Sequence, residues 1–278
     1  MSKFKLFRSR LAILGSIMSL TVVILTLVAP LVAPYKASDF TSNLLLPPCS
    51  DHYLGTDSHG RDLFSRIIMG GSITLSLAVS IICFAGSVGT IWGLLAAYTR
   101  GFLGNLFNRA IDIVMSFPSI MLALLILAIV GTSGRTPLII AIAVAYAPRF
   151  ARVIRGSTLP ILEEDFVLAE KALGANHLRI LVVHLLPNLI APITVLTSIY
   201  LPHTIMLEST LSFLGLGAPP DVPTWGRIIA DGKAYMQVAP WLTIFPGIAI
   251  IFTALAFNLL GDGLRDIFDP RSATRLYR

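Results

Sequence analysis

Residues 72–98 read SITLSLAVSIICFAGSVGTIWGLLAAY, 27 positions without one charged side chain. As a helix this run is about 40 Å long, at 1.5 Å of rise per residue. A bilayer's apolar core needs only about 20 helical residues. A run of this length and composition is a membrane span, and the rest of the chain agrees. Of its 278 residues, 55% are apolar and 13% charged, against roughly 25% charged in an average soluble domain. So little charge cannot coat a water-facing surface, and it excludes a disordered tail or a coiled coil as well. Seventeen prolines and 21 glycines are too many for a bundle of simple rods. Broken helices and structured loops are expected.

Working outward, the run at 11–33 follows Lys3, Lys5, Arg8 and Arg10. It exceeds the roughly 7–15 apolar residues of a secretory signal, and Pro30 and Pro34 make a poor cleavage site, so it reads as an uncleaved anchor. Further runs lie at 111–131 with Pro118 inside, 137–147, 189–207 with Pro192 and Pro202, and 241–260 with Pro246. Internal prolines are tolerated in membrane helices because neighbouring groups satisfy the freed carbonyls. The run at 137–147 is the weakest: its 11 residues before Pro148 and Arg149 make about 16 Å of helix. The expectation is an all-α integral membrane protein with six transmembrane helices.

Six crossings put both termini on one side, and the positive-inside rule makes that side the cytoplasm. With that orientation, 15 of the 21 basic residues fall inside and 6 outside. The net charge of +6 is thus a topological signal, with no basic-aromatic patch to read nucleic acid. Residues 1–71 are read as an anchor plus outer segment, and 72–278 as a five-helix core. Its long connections are 149–188 inside and 208–240 outside. Cys49 and Cys83 lie in unlike settings and are read as free thiols, with no metal-ligand spacing.

The inside connection is the most informative. Glu163, Glu164 and Asp165 suit a helix N-terminus, where the dipole favours negative charge. The helix runs through Phe166, Ala169, Ala172 and Leu173 and stops at Gly174. Asn176 then caps a second helix, 178–186, ended by Pro187. Two helices meet at a corner carrying Phe166 and Leu173. Such a corner either plugs into another protein's groove or lies as an amphipathic hairpin on the lipid surface; residue chemistry leaves the two level.

AEKALGANHLRILVVHLLPN (169–188) resembles the EAA loop of ABC importer permeases, with Gly174, Leu186 and Pro187 at the motif's spacing. The triplet reads Leu168, Ala169, Glu170, so the usual first glutamate is missing and an acid stands two residues later. HYLGTDSHGRDLFSRIIMGG (52–71), RAIDIVMSFPSIMLALLI (109–126), LSFLGLGAPPDVPTWGRII (211–229) and FNLLGDGLRDIFDPR (257–271) are similar to the dipeptide/oligopeptide/nickel permease family, most of all to its second permease subunit. The resemblance implies the type I ABC importer permease fold in a bacterial inner membrane. It implies a coupling loop of Phe166, Ala169, Glu170, Ala172, Leu173, Gly174, Ala175, Leu186 and Pro187. It also implies several partners: a second, homologous permease, two cytoplasmic ATPases that use ATP and Mg, and an outer substrate-binding protein. This chain would bind no cofactor itself, and its surroundings would be lipid. Short peptides are the first cargo expected, with nickel or a metal chelate as the alternative.

Asp57, Arg61, Asp62 and Arg66 form an i, i+4 ladder, each side chain read as local helix stabilisation, while the resemblance implies that the segment is a structured outer element near the binding-protein dock. Gly89, Gly93 and Ala97 make a small-residue face read as packing within the subunit. Asp112 is read as a structural salt bridge near the inner interface. His203, Met206 and Glu208 hold metal-ligand chemistry, but their offsets favour Glu208 pairing with a basic group or capping the next turn. Leu211, Phe213, Gly215, Gly217 and Trp225 are read as a short helix at the outer mouth and an extended turn, with Trp225 at the interface, a candidate gate. Asp262, Arg265, Asp266, Asp269 and Arg271 tie down the chain's end.

No G-x-x-x-x-G-K-[ST] phosphate loop occurs, so ATP hydrolysis by this chain is not expected. A secondary transporter would need ionisable groups near mid-membrane and often inverted repeats. An intramembrane enzyme would need a motif such as HExxH or GxSxG. Neither pattern is present in the sequence.

Overall fold

The computed structural model describes residues 10–99, 101–130, 134–219 and 221–268. Lys3, Lys5, Arg8, Arg100, Asp269 and the arginines at 271, 275 and 278 lie outside the described residues. The described chain is mainly helical, with residues 33–62 its longest non-helical stretch. In order come α1 (Arg10–Leu27), the single turn α2 (Ala29–Val32), α3 (Leu63–Tyr98), α4 (Gly101–Met115), α5 (Ser119–Val130) and α6 (Arg135–Ile161). Then come α7 (Asp165–Ala172), α8 (His177–Arg179), a π-helical turn (Ile180–Leu185), α9 (Leu186–Asn188), α10 (Ile190–Phe213), α11 (Trp225–Gly232) and α12 (Trp241–Phe268).

Among the described residues, α3, α6, α10 and α12 are long and apolar enough to cross a membrane. The pair α4 and α5 makes a fifth crossing if counted as one, but it bends by 96°. α1 is apolar but shorter. Three sequence expectations are corrected here. The span expected at 72–98 starts earlier, at Leu63, because Asp62 caps it: its carboxylate accepts the Ser65 N–H at 2.8 Å. The span expected at 111–131 is not one rod. It breaks at residues 116–118, where Pro118 has no N–H and its ring pushes Phe117 out of the helical region. The weak span at 137–147 is in fact a 27-residue helix that passes through Pro148 to Ile161, about 40 Å long.

Helix packing explains how α6 survives its proline. α3 lies on it through Gly89 and Gly93. A Cβ at Gly89 would stand 2.4 Å from the Ala147 carbonyl oxygen, and one at Gly93 2.5 Å from that of Ala151. The small-residue face is therefore spent within the subunit, as expected. Around this seam a core of Ile81, Ile82, Leu138, Ile142, Phe150 and Ile154 is fully buried. α1 crosses α12 as closely: a Cβ on Gly15 would lie 2.5 Å from the Leu260 nitrogen. Leu11, Leu14, Ile17, Ile244, Ile248 and Ile251 on the outer faces of α1 and α12 are about half exposed or more, as lipid-facing residues must be.

Candidate functional sites at the two ends of the bundle

At one end, α7 and the segment from α8 to α9 form the expected corner. Asp165 opens α7 and Lys171 closes it, both signs matching the helix dipole. Gly174 then adopts φ +78°. Its N–H donates to the Lys171 carbonyl at 3.1 Å, and the Ala175 N–H donates to that of Glu170 at 3.0 Å. This pair of bonds is the Schellman stop, which needs a left-handed residue at this position. The Asn176 side chain accepts the Leu178 N–H at 3.3 Å and starts the return segment. The expected stop at Pro187 is corrected: helical structure continues through a π turn, and Pro187 sits in the first turn of α9.

Val167, Ile180 and Leu185 are fully buried and anchor the corner. Phe166, Leu168, Leu173 and Leu178 are 43, 49, 83 and 68% exposed, so the corner turns an apolar surface outward. Ala169, Ala172, Gly174 and Pro187 are exposed too, while Ala175 and Leu186 are half-buried. Glu170 turns inward. Its Oε1 lies 3.4 Å from His184 Nε2 and its Oε2 3.8 Å from Arg179 Nε, which ties α7 to the return segment. The missing first acid leaves Leu168 as an exposed apolar group. The Tyr98 hydroxyl meets His177 Nδ1 at 2.5 Å and joins the corner to the end of α3.

Asp112 pairs with Arg152 at 2.5 Å, both side chains more than half exposed. This is the structural salt bridge expected. Arg149, which follows the apolar run in sequence, lies midway along α6 and not at a span's end. Its guanidinium donates to the Ala145 carbonyl at 2.7 Å and to Ser119 Oγ at 2.6 Å, and stands 5.1 Å over the Tyr146 ring. Sequence reasoning missed it because an Arg after Pro looks like a boundary. It pins the start of α5 to α6.

At the opposite end Glu208 is fully buried. Ser212 donates to its Oε1 at 2.8 Å and Ser209 to its Oε2 at 3.4 Å. His203 and Met206 are exposed on another side of α10, so the structure does not gather the three for a metal. Leu211 and Phe213 belong to α10, not to a separate short helix, which corrects that expectation. α10 ends in a second Schellman stop: at Gly215, φ +83°, the N–H donates to Ser212, and the Leu216 N–H donates to Leu211. Gly217 is buried against Ser212. The short helix of this mouth is α11. Trp225, expected at the interface, is only 4% exposed. Thr224 caps α11 and turns the chain inward, so the Trp225 indole N–H reaches the Ile67 carbonyl at 2.8 Å and its backbone N–H reaches Thr74 Oγ1 at 3.1 Å.

The ladder of Asp57, Arg61, Asp62 and Arg66 is corrected in part: the i, i+4 pair of Asp57 and Arg61 is present, but residues 57–61 are not helical. Three of these side chains are buried and Arg61 is largely so. Asp57 accepts from Arg66, and from Arg61 Nε at 2.7 Å. Asp231 of α11 stands 3.3 Å from Arg66 Nη2 and 3.0 Å from Arg227 Nε. Asp62 meets His52 Nδ1 at 2.9 Å. The residues are thus a buried clasp between residues 52–66 and α11, invisible to a helix-spacing argument because Asp231 is remote in sequence. Burial alone would raise the Asp57 pKa. The charge of Arg66, the Arg61 and His59 N–H groups and the charge of Arg61 outweigh it and hold the carboxyl below its ordinary value.

Comparison with known proteins gives this architecture a family. Residues 89–274 match the model of binding-protein-dependent transport system inner membrane components. Residues 4–48 match the N-terminal TM domain of oligopeptide transport permease C. A dipeptide transport system permease protein of Alkalihalophilus pseudofirmus is 39% identical, covering 96% of this chain and 88% of its own. A glutathione transport system permease protein of Pectobacterium atrosepticum is 38% identical, covering 96% and 89%. Among solved structures, a methionine ABC transporter in inward-facing conformation matches with a TM-score of 0.57 at 22% identity, over 70% of this chain and 92% of that one; this likeness bears on fold alone, the type I importer permease fold. The chain belongs to the inner-membrane permease family of binding-protein-dependent ABC importers.

Proposed function

We propose that this permease carries short peptides across the inner membrane as one half of a two-permease pathway. Family membership implies an ATPase and a substrate-binding protein as partners. In the proposed assembly two cytoplasmic ATPases, using ATP and Mg, dock at the corner around Gly174. The partner across the pathway is a distinct homologous permease. Six crossings, with α1 and the α4–α5 pair each counted as one, leave both termini and the corner in the cytoplasm. The mouth formed by α11 and Leu211–Gly217 then faces the substrate-binding protein, and residues 1–71 serve as anchor and outer segment to the core that follows. ATP binding draws the two corners together and rocks the permeases between inward- and outward-facing states.

The observation that carries this reading is the corner itself. Its backbone is fixed by buried Val167, Ile180 and Leu185, while Phe166, Leu168, Leu173 and Leu178 stand exposed. A rigid apolar knob on a built frame suits a groove in another protein better than a lipid surface, which needs no fixed corner. The cargo reading is supported by the relatives' names, dipeptide and glutathione among them.

Two measurements test the reading. Pull-down from detergent should recover two ATPases and a second permease; a stable lone chain sinks the assembly. The ligand retained by the cognate binding protein should be a short peptide, and a metal or metal chelate there would overturn the cargo.

A further inference from the structure

α4 stands at 96° to α5. With the α4–α5 pair read as one broken crossing, α5, 12 residues and about 18 Å long, takes the deeper part of that crossing, and α4 turns toward the membrane plane on the face that carries the Gly174 corner. The helix is two-sided. Phe102, Leu103, Leu106 and Ile113 are 80, 56, 53 and 62% exposed. Asn105, Asn108, Arg109 and Asp112 bound a cleft of about 320 Å³, completed by Arg152 and Arg155 of α6.

The cleft is cationic, with three guanidinium groups against one carboxylate. Asp112 is taken by Arg152. Arg109 and Arg155 make no hydrogen bond or ion pair among the described residues, and Arg155 Nε is buried without an acceptor. A buried guanidinium donor is costly unless an oxygen meets it. On another side of α4 an apolar groove of about 510 Å³ runs between the two helices, lined by Val88, Ile91, Trp92 and Leu95 of α3 and by Leu106 and Phe107.

We propose that this face of α4 binds an anionic phospholipid of the adjoining leaflet, its phosphate on Arg109 and Arg155 and its acyl chains against the exposed apolar face and the groove. An amphipathic helix in the membrane plane meets headgroups on one side and chains on the other, and basic pockets at this depth suit anionic headgroups. Inorganic phosphate or a partner's carboxylate would satisfy the cleft but leave the groove unexplained. The inference rests on the membrane placement of α5 and is independent of cargo and of ATPase docking.

Trp92 in the groove supplies the readout. The full chain is reconstituted in phosphatidylcholine vesicles holding brominated-chain phosphatidylglycerol or brominated-chain phosphatidylcholine. The quenching that disappears in Trp92→Phe belongs to this site. Phosphatidylglycerol should associate there about 5- to 30-fold more strongly, a factor of about five per arginine. In Arg109→Gln/Arg155→Gln the preference should fall to about one, while quenching by phosphatidylcholine stays unchanged and certifies folding. If the double variant does not fold, Arg109→Gln alone, at an exposed position, should lower the preference about fivefold. Equal association of both lipids with wild type overturns the proposal. So does a preference that survives the substitutions, or its abolition by millimolar inorganic phosphate, which would mark a free-anion site. Failure of either lipid to quench Trp92 overturns it too, by showing the groove covered by protein.

Discussion

Replacing Gly174 by valine tests the corner with least ambiguity, because the structure separates its two costs. A Cβ built on Gly174 meets nothing within 4 Å, so no steric clash arises. What remains is the backbone. At φ +78° an L-residue pays roughly 1–2 kcal/mol, and β-branching adds to that. Relaxing to negative φ instead sacrifices the two bonds that end α7, from Gly174 to Lys171 and from Ala175 to Glu170, each worth about 0.5–1.5 kcal/mol. Either route disfavours the docking-competent corner by about 1–3 kcal/mol, a factor of roughly 5 to 150 in its population. The apparent affinity for the ATPases falls with the competent fraction, by at most that factor. The assay is substrate-stimulated ATP hydrolysis by the reconstituted importer, with membrane insertion followed in parallel. Gly174→Val should lose most of the stimulation and insert normally. Gly174→Asn should keep most of it, because asparagine tolerates the left-handed region. Unchanged hydrolysis in Gly174→Val would refute the coupling argument. Equal damage from Asn and Val would refute the backbone argument while leaving a role for the corner.

Three other perturbations reach different parts of the molecule. Gly93→Val drives a side chain into the Ala151 carbonyl at 2.5 Å and Ile154 Cβ at 3.0 Å; both belong to a packed seam, so the yield of folded chain in detergent should collapse, measured by size-exclusion chromatography. Glu208→Ala leaves buried Ser209 and Ser212 without their acceptor and should destabilise that end of the bundle by about 1–3 kcal/mol, read as a lower thermal midpoint, whereas Glu208→Gln retains an acceptor oxygen and should lose less. Because the folded pKa of Asp57 lies below its ordinary value, its contribution is complete above the unfolded pKa and is lost as pH falls through the folded one; proteolysis of residues 34–62 should therefore rise only at strongly acid pH in wild type, and already at neutral pH in Asp57→Ala.

The corner was legible because its signals are local. Asp165, Gly174 and Asn176 act within one or two turns of where they stand, so composition and spacing alone place the helix start, the stop and the next cap. The clasp at Asp57 was not legible, because half of it comes from Asp231 and no spacing rule connects residues so far apart in sequence. Trp225 was misjudged for a related reason. Tryptophan is at home at membrane interfaces, and nothing in its own neighbourhood reveals that Thr74 and Ile67 on α3 will take its two N–H groups. Glu208 could be read as a structural acid, but its serine partners are visible only once Ser209 and Ser212 are known to share its helix, which extends further than hydropathy suggests.

Prolines mark the sharpest limit. Pro118 and Pro148 each lack a donor, one inside an apolar run and the other at the end of one, yet the first breaks its helix and the second does not. The difference lies in the surroundings. Phe117 and Pro118 are exposed, so no packing holds the chain straight against the local cost of a proline, and the path turns by 96° into α5. Pro148 is buried between Ala147 and Phe150, the residues that leave no room for a Cβ at Gly89 of α3. Bending there would open the seam, and losing several buried contacts outweighs one missing hydrogen bond of about 0.5–1.5 kcal/mol. Arg149 adds a guanidinium bond to the neighbouring Ala145 carbonyl. A helix that ended at Ala147 would release the chain before it reached the corner. The uninterrupted α6 instead runs to Ile161, with three residues between it and α7, so in the proposed mechanism a movement of the corner would reach the helix packed along α3.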